Sequence, residues 1–288
     1  MRIAALVATL AICMLAAGAS PLPAGLPAPR GSATGPERGD GLETYVITSD
    51  YQETPCKLHV LLPRGFDKSK RYKVLYVLPA WAPSSDGIAE AKKLGLADTY
   101  NVVCVQPEFS GMPWYADKPG DPKCRNDSYL PEVIVPFVDK TYPTVAAPEG
   151  RLLVGFSKSG IGAVSLLLRY PEIFGRAGSW DAPLMEDRNR PEYYGSDENF
   201  HQNYYVPTLL AAKAKVLAGK PARMAIAGEG WGSTAKAHQL MDRLGIPHYV
   251  NESLLGAHEW TSGWLGPLVQ VLMAEDMTRP TSDGRKVK

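Results

Sequence analysis

A six-residue stretch, Gly155 to Gly160 (GFSKSG), constrains the fold more than any other feature of this chain. The apolar run 151–154 before it predicts a buried strand, and 161–170 after it predicts a helix. A serine in a sharp turn between a strand and a helix is typical of a nucleophile elbow, in which a strained backbone lifts the Ser157 hydroxyl above the sheet. Strand and helix then run close together, so small residues are needed two positions to either side, and Gly155 meets that demand.

The other flank departs from the usual G-x-S-x-G pattern, because Ser159 stands where a glycine is expected and Gly160 follows it. Serine is small, so we expect the turn to persist. The alternative is an ordinary strand-to-helix junction in which Ser157 or Ser159 is the N-cap of the helix. The motif favours the nucleophile interpretation over this one.

Length and composition bound the architecture and exclude one class of partner. The chain has 288 residues, 45% hydrophobic and 21% charged, which suffices for one large α/β domain, predicted over residues 42–277. The net charge is +1 and no long basic run occurs, so a nucleic-acid partner is excluded. Cys56, Cys104 and Cys124 match no zinc-binding spacing, and a bridge between Cys56 and Cys124 stays open.

The first 19 residues have the pattern of a secretory signal peptide. Arg2 precedes an apolar stretch over residues 3–17, and an A-x-A-like cleavage site ends at Ala19. The sequence therefore predicts a secreted or periplasmic protein with no stable membrane span after cleavage. Residues 20–41, rich in Pro, Gly and Ala, predict a flexible leader, and residues 278–288 predict a loose C-terminal tail.

Between these ends, strand patterns alternate with helix patterns, which predicts an α/β fold with a mostly parallel central sheet and helices on both faces. The first two strands read as a hairpin at the sheet edge. Strands are predicted over 44–48, 57–62, 73–78, 101–106, 151–154, 176–180, 223–227 and 248–251, and helices over 88–96, 130–142, 161–170, 207–217, 234–244 and 264–273.

Two irregular segments rich in aromatic residues interrupt this alternation. Residues 107–129 form a long loop that contains Trp114 and Tyr115, and residues 184–206 form a tyrosine-rich insertion. Long loops in a compact domain are usually functional, so both segments predict walls of a substrate-binding cleft, with Trp114 and Tyr115 in contact with substrate. The alternative is a surface excursion held by its own aromatic side chains.

A nucleophilic serine needs a base and an acid that orients the base. Of five histidines, His258 follows the last predicted strand, where this chain order places the base. Two residues remain candidates for the acid. Asp181 ends the strand after the elbow helix, where Trp180 could shield it and Pro183 could fix its loop, and Glu229 follows the next strand. We prefer Asp181 slightly.

The oxyanion hole should combine the backbone N–H of Lys158 with one from the loop after the strand that ends at Leu78. Pro79 has no N–H, so Ala80 or Trp81 is the expected second donor. The Lys158 side chain could attract an anionic substrate, although a solvated lysine is the simpler expectation.

The elbow over 155–162, the run LLLRYPEIFG over 166–175 and the Gly-x-His-x-Trp element at 256–260 resemble the Putative esterase family of α/β-hydrolases, over residues 45–275. That family includes S-formylglutathione hydrolases, feruloyl and acetylxylan esterases, and mycobacterial mycolyltransferases. The resemblance implies the α/β-hydrolase fold, a Ser157/His258 pair, and carboxylic-ester chemistry without a metal or cofactor. The chain departs from the family pattern at three points. Ser159 replaces the usual glycine, Pro79-Ala80 stands where a His-Gly pair is common, and no Asp follows the seventh strand.

The sequence thus predicts an exported serine carboxylesterase that acts on a small-molecule or glycan ester, aromatic or carbohydrate in kind, through an acyl-enzyme. An acyltransferase that uses the same three residues is the first alternative. A non-catalytic module on a hydrolase fold, which binds carbohydrate or a partner, is the second.

Overall fold

A nine-stranded sheet runs through residues 30–278, the part of the chain that the computed structural model describes. Its strands lie in the order β1-β2-β3-β5-β4-β6-β7-β8-β9. The strands are β1 Gly31–Gly39, β2 Leu42–Ser49, β3 Cys56–Leu61, β4 Val74–Val77, β5 Val103–Pro107, β6 Arg151–Phe156, β7 Arg176–Trp180, β8 Met224–Ala227 and β9 His248–Asn251.

Parallel pairing dominates the half of the sheet that carries the serine. The pairs β4–β5, β4–β6, β6–β7, β7–β8 and β8–β9 are parallel, whereas β1–β2, β2–β3 and β3–β5 are antiparallel. Every residue of β4, β5, β6 and β8 is buried, as their continuous apolar runs predict. Parallel strands end at the same edge, so the turns that follow β4, β6, β7 and β8 meet there.

Helices cover both faces of this sheet, and one large hydrophobic cluster lies on each side. This confirms the predicted fold class. The helices are α1 Asp86–Lys93, α2 Leu96–Tyr100, α3 Asn126–Tyr129, α4 Val135–Thr141, α5 Ser157–Arg169, α6 Pro191–Tyr194, α7 Asp197–Asn203, α8 Val206–Leu217, α9 Ser233–Arg243 and α10 Leu265–Met273. A π-helical stretch, Leu130–Ile134, joins α3 to α4, so the helix predicted over 130–142 begins earlier, at Asn126.

The expected flexible leader, residues 20–41, is wrong over its second half. Residues 31–39 form β1, which pairs antiparallel with β2, so the predicted edge hairpin of β2 and β3 is covered by one more strand. Most β1 side chains are exposed, because the strand is held by backbone pairing rather than by an apolar face. Residues 20–29, the predicted signal peptide and the tail beyond Thr278 lie outside the described residues.

The two aromatic segments pack on each other above the carboxyl edge of the sheet. The insertion carries the short helices α6 and α7, and it contributes most of a small separate cluster with the 107–129 loop. Members of that cluster are Trp114, Ala116, Tyr193, Tyr194, Phe200, Tyr204 and Tyr205.

The three cysteines among residues 30–278 are free thiols. Burial raises the pKa of Cys56 and of Cys104 to about 12, so neither is a thiolate near neutral pH. No helix in the described range is both long enough and apolar enough to cross a bilayer.

Candidate active site

Ser157 stands between the end of β6 and the first turn of α5 with φ of 55°, a left-handed conformation that a non-glycine residue adopts at a cost. The backbone is crowded on both sides of it. A Cβ on Gly155 would lie 2.5 Å from the Ser159 carbonyl oxygen, and one on Gly160 would lie 2.7 Å from the Ala182 Cβ. Glycine at 155 therefore lets β6 and α5 approach closely enough to form the elbow, and glycine at 160 lets α5 pack against β7 and the turn that follows it.

Ser159 occupies the position of the usual glycine without loss of the turn. Its side chain is buried, and its Oγ accepts a hydrogen bond from the Phe156 N–H at 3.0 Å and donates one to the Phe156 carbonyl at 2.8 Å. The N-cap of α5 is Phe156, so the alternative in which Ser157 or Ser159 is the N-cap is wrong. Ser159 instead fastens the first turn of the helix back onto the strand end.

Asp181 and His258 form a direct pair near this elbow. The His258 Nδ1 lies 2.7 Å from the Asp181 Oδ2, and the Asp181 Oδ1 accepts a hydrogen bond from the Gly230 N–H at 2.7 Å. An ionised carboxylate only accepts hydrogen bonds, so the proton must sit on Nδ1. The Nε2 of His258 is then left with a lone pair that can take a proton.

The sheet register explains why Asp181, and not Glu229, reaches the histidine. Phe156 on β6 pairs with Trp180 on β7, so Ser157 and Asp181 follow matched ends of neighbouring strands. Trp180 pairs in turn with Ala227 on β8, which places Gly228 abreast of Asp181. The turn after β8 wraps around the Asp181 carboxylate and donates to it, whereas the Glu229 residue is exposed.

Aromatic rings hold His258 in place. The ring lies 5.0 Å from the Phe156 ring, 5.1 Å from the Trp231 ring and 6.3 Å from the Trp180 ring, measured between centroids. Its loop is tied to the core by the Trp264 indole, which donates to the Glu259 carbonyl at 2.9 Å. Within residues 30–278 no hydrogen bond joins the Ser157 hydroxyl to His258, a looseness that catalytic pairs often show before substrate binds.

The loop after β4 lies abreast of the serine. Val77 pairs with Val154, and continuing that register brings Ala80 level with Ser157. The Pro79 carbonyl accepts a hydrogen bond from the Tyr115 hydroxyl at 2.7 Å. A trans peptide points its N–H away from its carbonyl, so this bond orients the Ala80 N–H in the opposite direction. The register thus favours Ala80 over Trp81 as the second oxyanion donor.

The prediction that Tyr115 contacts substrate is wrong. Its side chain is 1% exposed, and its ring fills the space that a side chain at Gly162 of α5 would occupy, with the Tyr115 Cδ2 2.3 Å from the position of that Cβ. Its hydroxyl donates a hydrogen bond to the Pro79 carbonyl. Neighbouring Trp114 does line the cavity next to the serine, so the two adjacent aromatics have different roles.

The Lys158 side chain is also not the solvated lysine that was expected. It is 8% exposed, and its Nζ lies 3.7 Å from the centroid of the Trp81 ring, 5.0 Å from that of Trp114 and 3.1 Å from the Met112 sulfur. Burial and the charge of Arg190 lower the pKa of this ammonium from 10.5 to about 8. Its backbone N–H lies in the first turn of α5, where helical amides lack partners.

A cavity of about 530 Å³ opens beside the elbow. This volume lies in the range of small-molecule sites. Residues that line it are Trp114, Ser157, Lys158, Ile161, Pro183, Met185, Glu186, Arg190, Trp231, Ser233 and Lys236.

One cluster among the described residues has metal-ligand chemistry. Ligand atoms of His238, Asp242 and His248 lie within 4.8 Å of one another. His238 Nδ1 and His248 Nε2 are 2.8 Å apart, and His248 Nδ1 donates to the Ile246 carbonyl at 2.8 Å, so hydrogen bonds already link the group. His248 begins β9, which places the cluster at the sheet edge opposite Ser157. It takes no part in the site at the elbow.

A serine elbow and an aspartate–histidine pair at the carboxyl edge of a mostly parallel sheet define an α/β-hydrolase. Solved structures of this fold superpose on the chain. A ferulic acid esterase superposes with a TM-score of 0.64 and 18% sequence identity, and the match covers 81% of this chain and 96% of that one. An S-formylglutathione hydrolase from Agrobacterium tumefaciens superposes at TM-score 0.62 and 14% identity, covering 79% and 92%. The family model described as "Putative esterase" matches residues 49–273, and the chain belongs to that family.

Two curated relatives match a shorter part of the chain. Esterase Rv1288 and Esterase MT1326, both from Mycobacterium tuberculosis, are 26% identical to this chain over 139 residues, which is 46% of this chain. The match spans only 30% of the length of those proteins.

Proposed function

We propose that the chain is an exported serine carboxylesterase in which Ser157, His258 and Asp181 form the catalytic triad. The observation that carries the proposal is the 2.7 Å contact between the His258 Nδ1 and the Asp181 carboxylate, on the strand end next to the elbow serine. Membership of an esterase family supports the reaction type. The N-terminal pattern supports export, which accords with the secreted or periplasmic location expected from the sequence.

The chemistry follows from these positions. The His258 Nε2 takes the proton of the Ser157 hydroxyl as the oxygen attacks the ester carbonyl carbon. The N–H groups of Lys158 and Ala80 stabilise the negative oxygen of the tetrahedral intermediate. His258 returns the proton to the departing alcohol, and water, deprotonated by the same nitrogen, releases the acid from the acyl-enzyme. Asp181 holds the ring in the tautomer that these steps need.

The walls of the cavity support an aromatic or sugar ester as the substrate. Trp114 and Trp231 offer flat apolar surfaces on which such a ring can stack. The similar fold of a ferulic acid esterase agrees with this class. The His258 side chain is 37% exposed, so water can reach this base, which favours hydrolysis of the acyl-enzyme over acyl transfer.

Residues 20–288 should be assayed with short 4-nitrophenyl esters and methyl ferulate, beside Ser157→Ala. We expect turnover by the wild type, loss of several orders of magnitude in kcat in the variant, and labelling of Ser157 by a fluorophosphonate. An alcohol added to the assay measures transfer: a product ester that outpaces the free acid would identify an acyltransferase instead. A wild type that neither hydrolyses any ester nor accepts the probe would contradict catalysis, and a glycan-binding screen would then test the remaining alternative.

A further inference from the structure

The cavity beside Ser157 carries an excess of positive charge. Lys158, Arg190 and Lys236 line it, against one carboxylate, Glu186. That carboxylate is shared by two guanidinium groups, at 3.8 Å from Arg190 and 4.0 Å from Arg188. The two lysine ammonium groups are therefore not neutralised by the wall of the cavity itself.

Lys158 is the unusual member of this group. A lysine that is 92% buried normally pairs with a carboxylate, because an isolated buried charge is costly. Its Nζ contacts only two indole faces and a thioether sulfur, and no oxygen atom of residues 30–278 accepts a hydrogen bond from it. The ammonium thus keeps hydrogen-bond donors for a partner that the described residues do not supply.

Two helix N-termini add to the positive electrostatic potential of the cavity. Ser157 and Lys158 begin α5, and Ser233, the first residue of α9, lines the cavity from the other side. Neither helix has an acidic residue in its first turn, so the partial positive charge at both ends is uncompensated. The Ser233 and Thr234 N–H groups already donate to the Gly230 and Glu229 carbonyls, so α9 contributes through its dipole rather than through free amides.

We propose that this cavity binds an anionic group, a carboxylate or a phosphate, on the ester that Ser157 attacks, with Lys158 and Lys236 as its ligands. The inference rests on the proposed function, because it assigns the substrate class of that same site. Trp81 and Trp114 hold the Lys158 ammonium in place from the side, and Arg190, held over the Trp114 ring at 4.5 Å, completes the positive wall. The ester that fits is aromatic or sugar-like and negatively charged.

Matched ester pairs test this on residues 20–288. One pair differs on the acyl side, 4-nitrophenyl hexanoate against mono-4-nitrophenyl adipate, and one on the alcohol side, methyl 4-acetoxybenzoate against 4-acetoxybenzoate. A third ester, 4-acetoxyphenyl phosphate, compares phosphate with carboxylate. Each kcat/KM is divided by the rate constant for spontaneous hydrolysis of the same ester, which normalises for the reactivity of the leaving group. We expect kcat/KM for the charged member to exceed that for its neutral partner about tenfold in at least one pair, and less in high salt.

Variants show whether the preference comes from this wall. Lys158→Met and Lys236→Met should each lower the charged-to-neutral ratio of kcat/KM about tenfold. Lys215→Met removes an exposed lysine of α8 outside the cavity and should leave the ratio unchanged. Hydrolysis with equal kcat/KM in every pair, or a preference that survives both cavity variants, would overturn this inference while the proposed function stands.

A binding measurement keeps the two proposals separate. Titration of Ser157→Ala with 4-hydroxybenzoate and with its methyl ester, followed by tryptophan fluorescence, needs no turnover. Tighter binding of the carboxylate than of the ester, weakened by Lys158→Met, supports the anion site even if no ester is hydrolysed. Equal affinity for both compounds would contradict it.

Discussion

Replacing Lys158 by Met should stabilise the free protein, and the gain should depend on pH. At about 1.4 kcal/mol per pH unit, lowering the pKa from 10.5 to about 8 corresponds to about 3 kcal/mol of unfavourable free energy when the group is charged. Solvent in the cavity and the contact with the Trp81 ring reduce this, so we expect a net gain of about 1–2 kcal/mol at pH 7. Met keeps the length and apolar contacts of the lysine stem.

The sign of the pH dependence follows from the two pKa values. Between about 8 and 10.5 the unfolded chain binds a proton at Lys158 that the folded chain has lost, so the wild type gains stability as pH rises through this window. The advantage of Lys158→Met should therefore be full below pH 8 and shrink as the pH approaches 10. Other titrating groups affect both proteins alike and cancel in the difference.

Urea unfolding at pH 7 and at pH 9.5, for the wild type and Lys158→Met, measures this double difference, with equal m-values as the test of an unchanged fold. Lys215→Met, exposed on α8, is the control and should show no pH-dependent difference. A Lys158→Met variant that is less stable than the wild type by the same amount at both pH values would show that the buried Lys158 charge does not destabilise the folded protein.

Three further predictions concern the loop after β4, a buried ion pair and the N-terminus of the exported protein. Tyr115→Phe removes the bond that orients the Ala80 N–H and should lower kcat about tenfold with little change in KM; an unchanged kcat for 4-nitrophenyl acetate would show that the bond has no such role. Arg169→Met strips the cation at 2.7 Å from the buried Asp127 carboxylate and should cost about 3–5 kcal/mol in urea unfolding, which a loss below 1 kcal/mol would contradict. The full chain expressed in a secreting host should begin at Ser20 by N-terminal sequencing, whereas retention of Met1 in the exported protein would contradict the signal peptide.

The elbow could be predicted because its chemistry is local. Glycine at 155 and a serine between a strand and a helix are consequences of close backbone approach, and both are visible in six residues of sequence. The role of Ser159 at the usual glycine position could not be predicted, since only the fold shows that its hydroxyl bonds to the Phe156 backbone.

The sequence narrows the acid that orients His258 to two residues but does not choose between them, because the choice depends on the register of the sheet. Asp181 and Glu229 both follow strand ends, and a sequence does not state that Phe156 pairs with Trp180. Nor does the sequence show that the glycine-rich turn after Ala227 donates a hydrogen bond to the Asp181 carboxylate. Without that contact, Glu229 in the same turn is also a candidate for the acid.

The sequence-based expectations are wrong at positions where the type of side chain does not indicate where the residue lies in the fold. Residues 31–39 have no apolar pattern, yet backbone pairing makes them an edge strand. Residue type alone misplaces Tyr115 and Lys158, because each is buried by contacts with residues far away in the sequence. Long-range packing against Gly162 buries the first, and the indoles of Trp81 and Trp114 enclose the second.

A comparison of two variants measures whether Asp181 orients His258. Asp181→Asn and Glu229→Gln each replace a carboxylate by its isosteric amide, on neighbouring strand ends of the same site. We expect kcat for a 4-nitrophenyl ester to fall about 10⁴-fold in Asp181→Asn, because the amide favours the wrong histidine tautomer, and to stay near wild type in Glu229→Gln. The reverse order, or a small loss in both, would contradict the triad proposed for this enzyme.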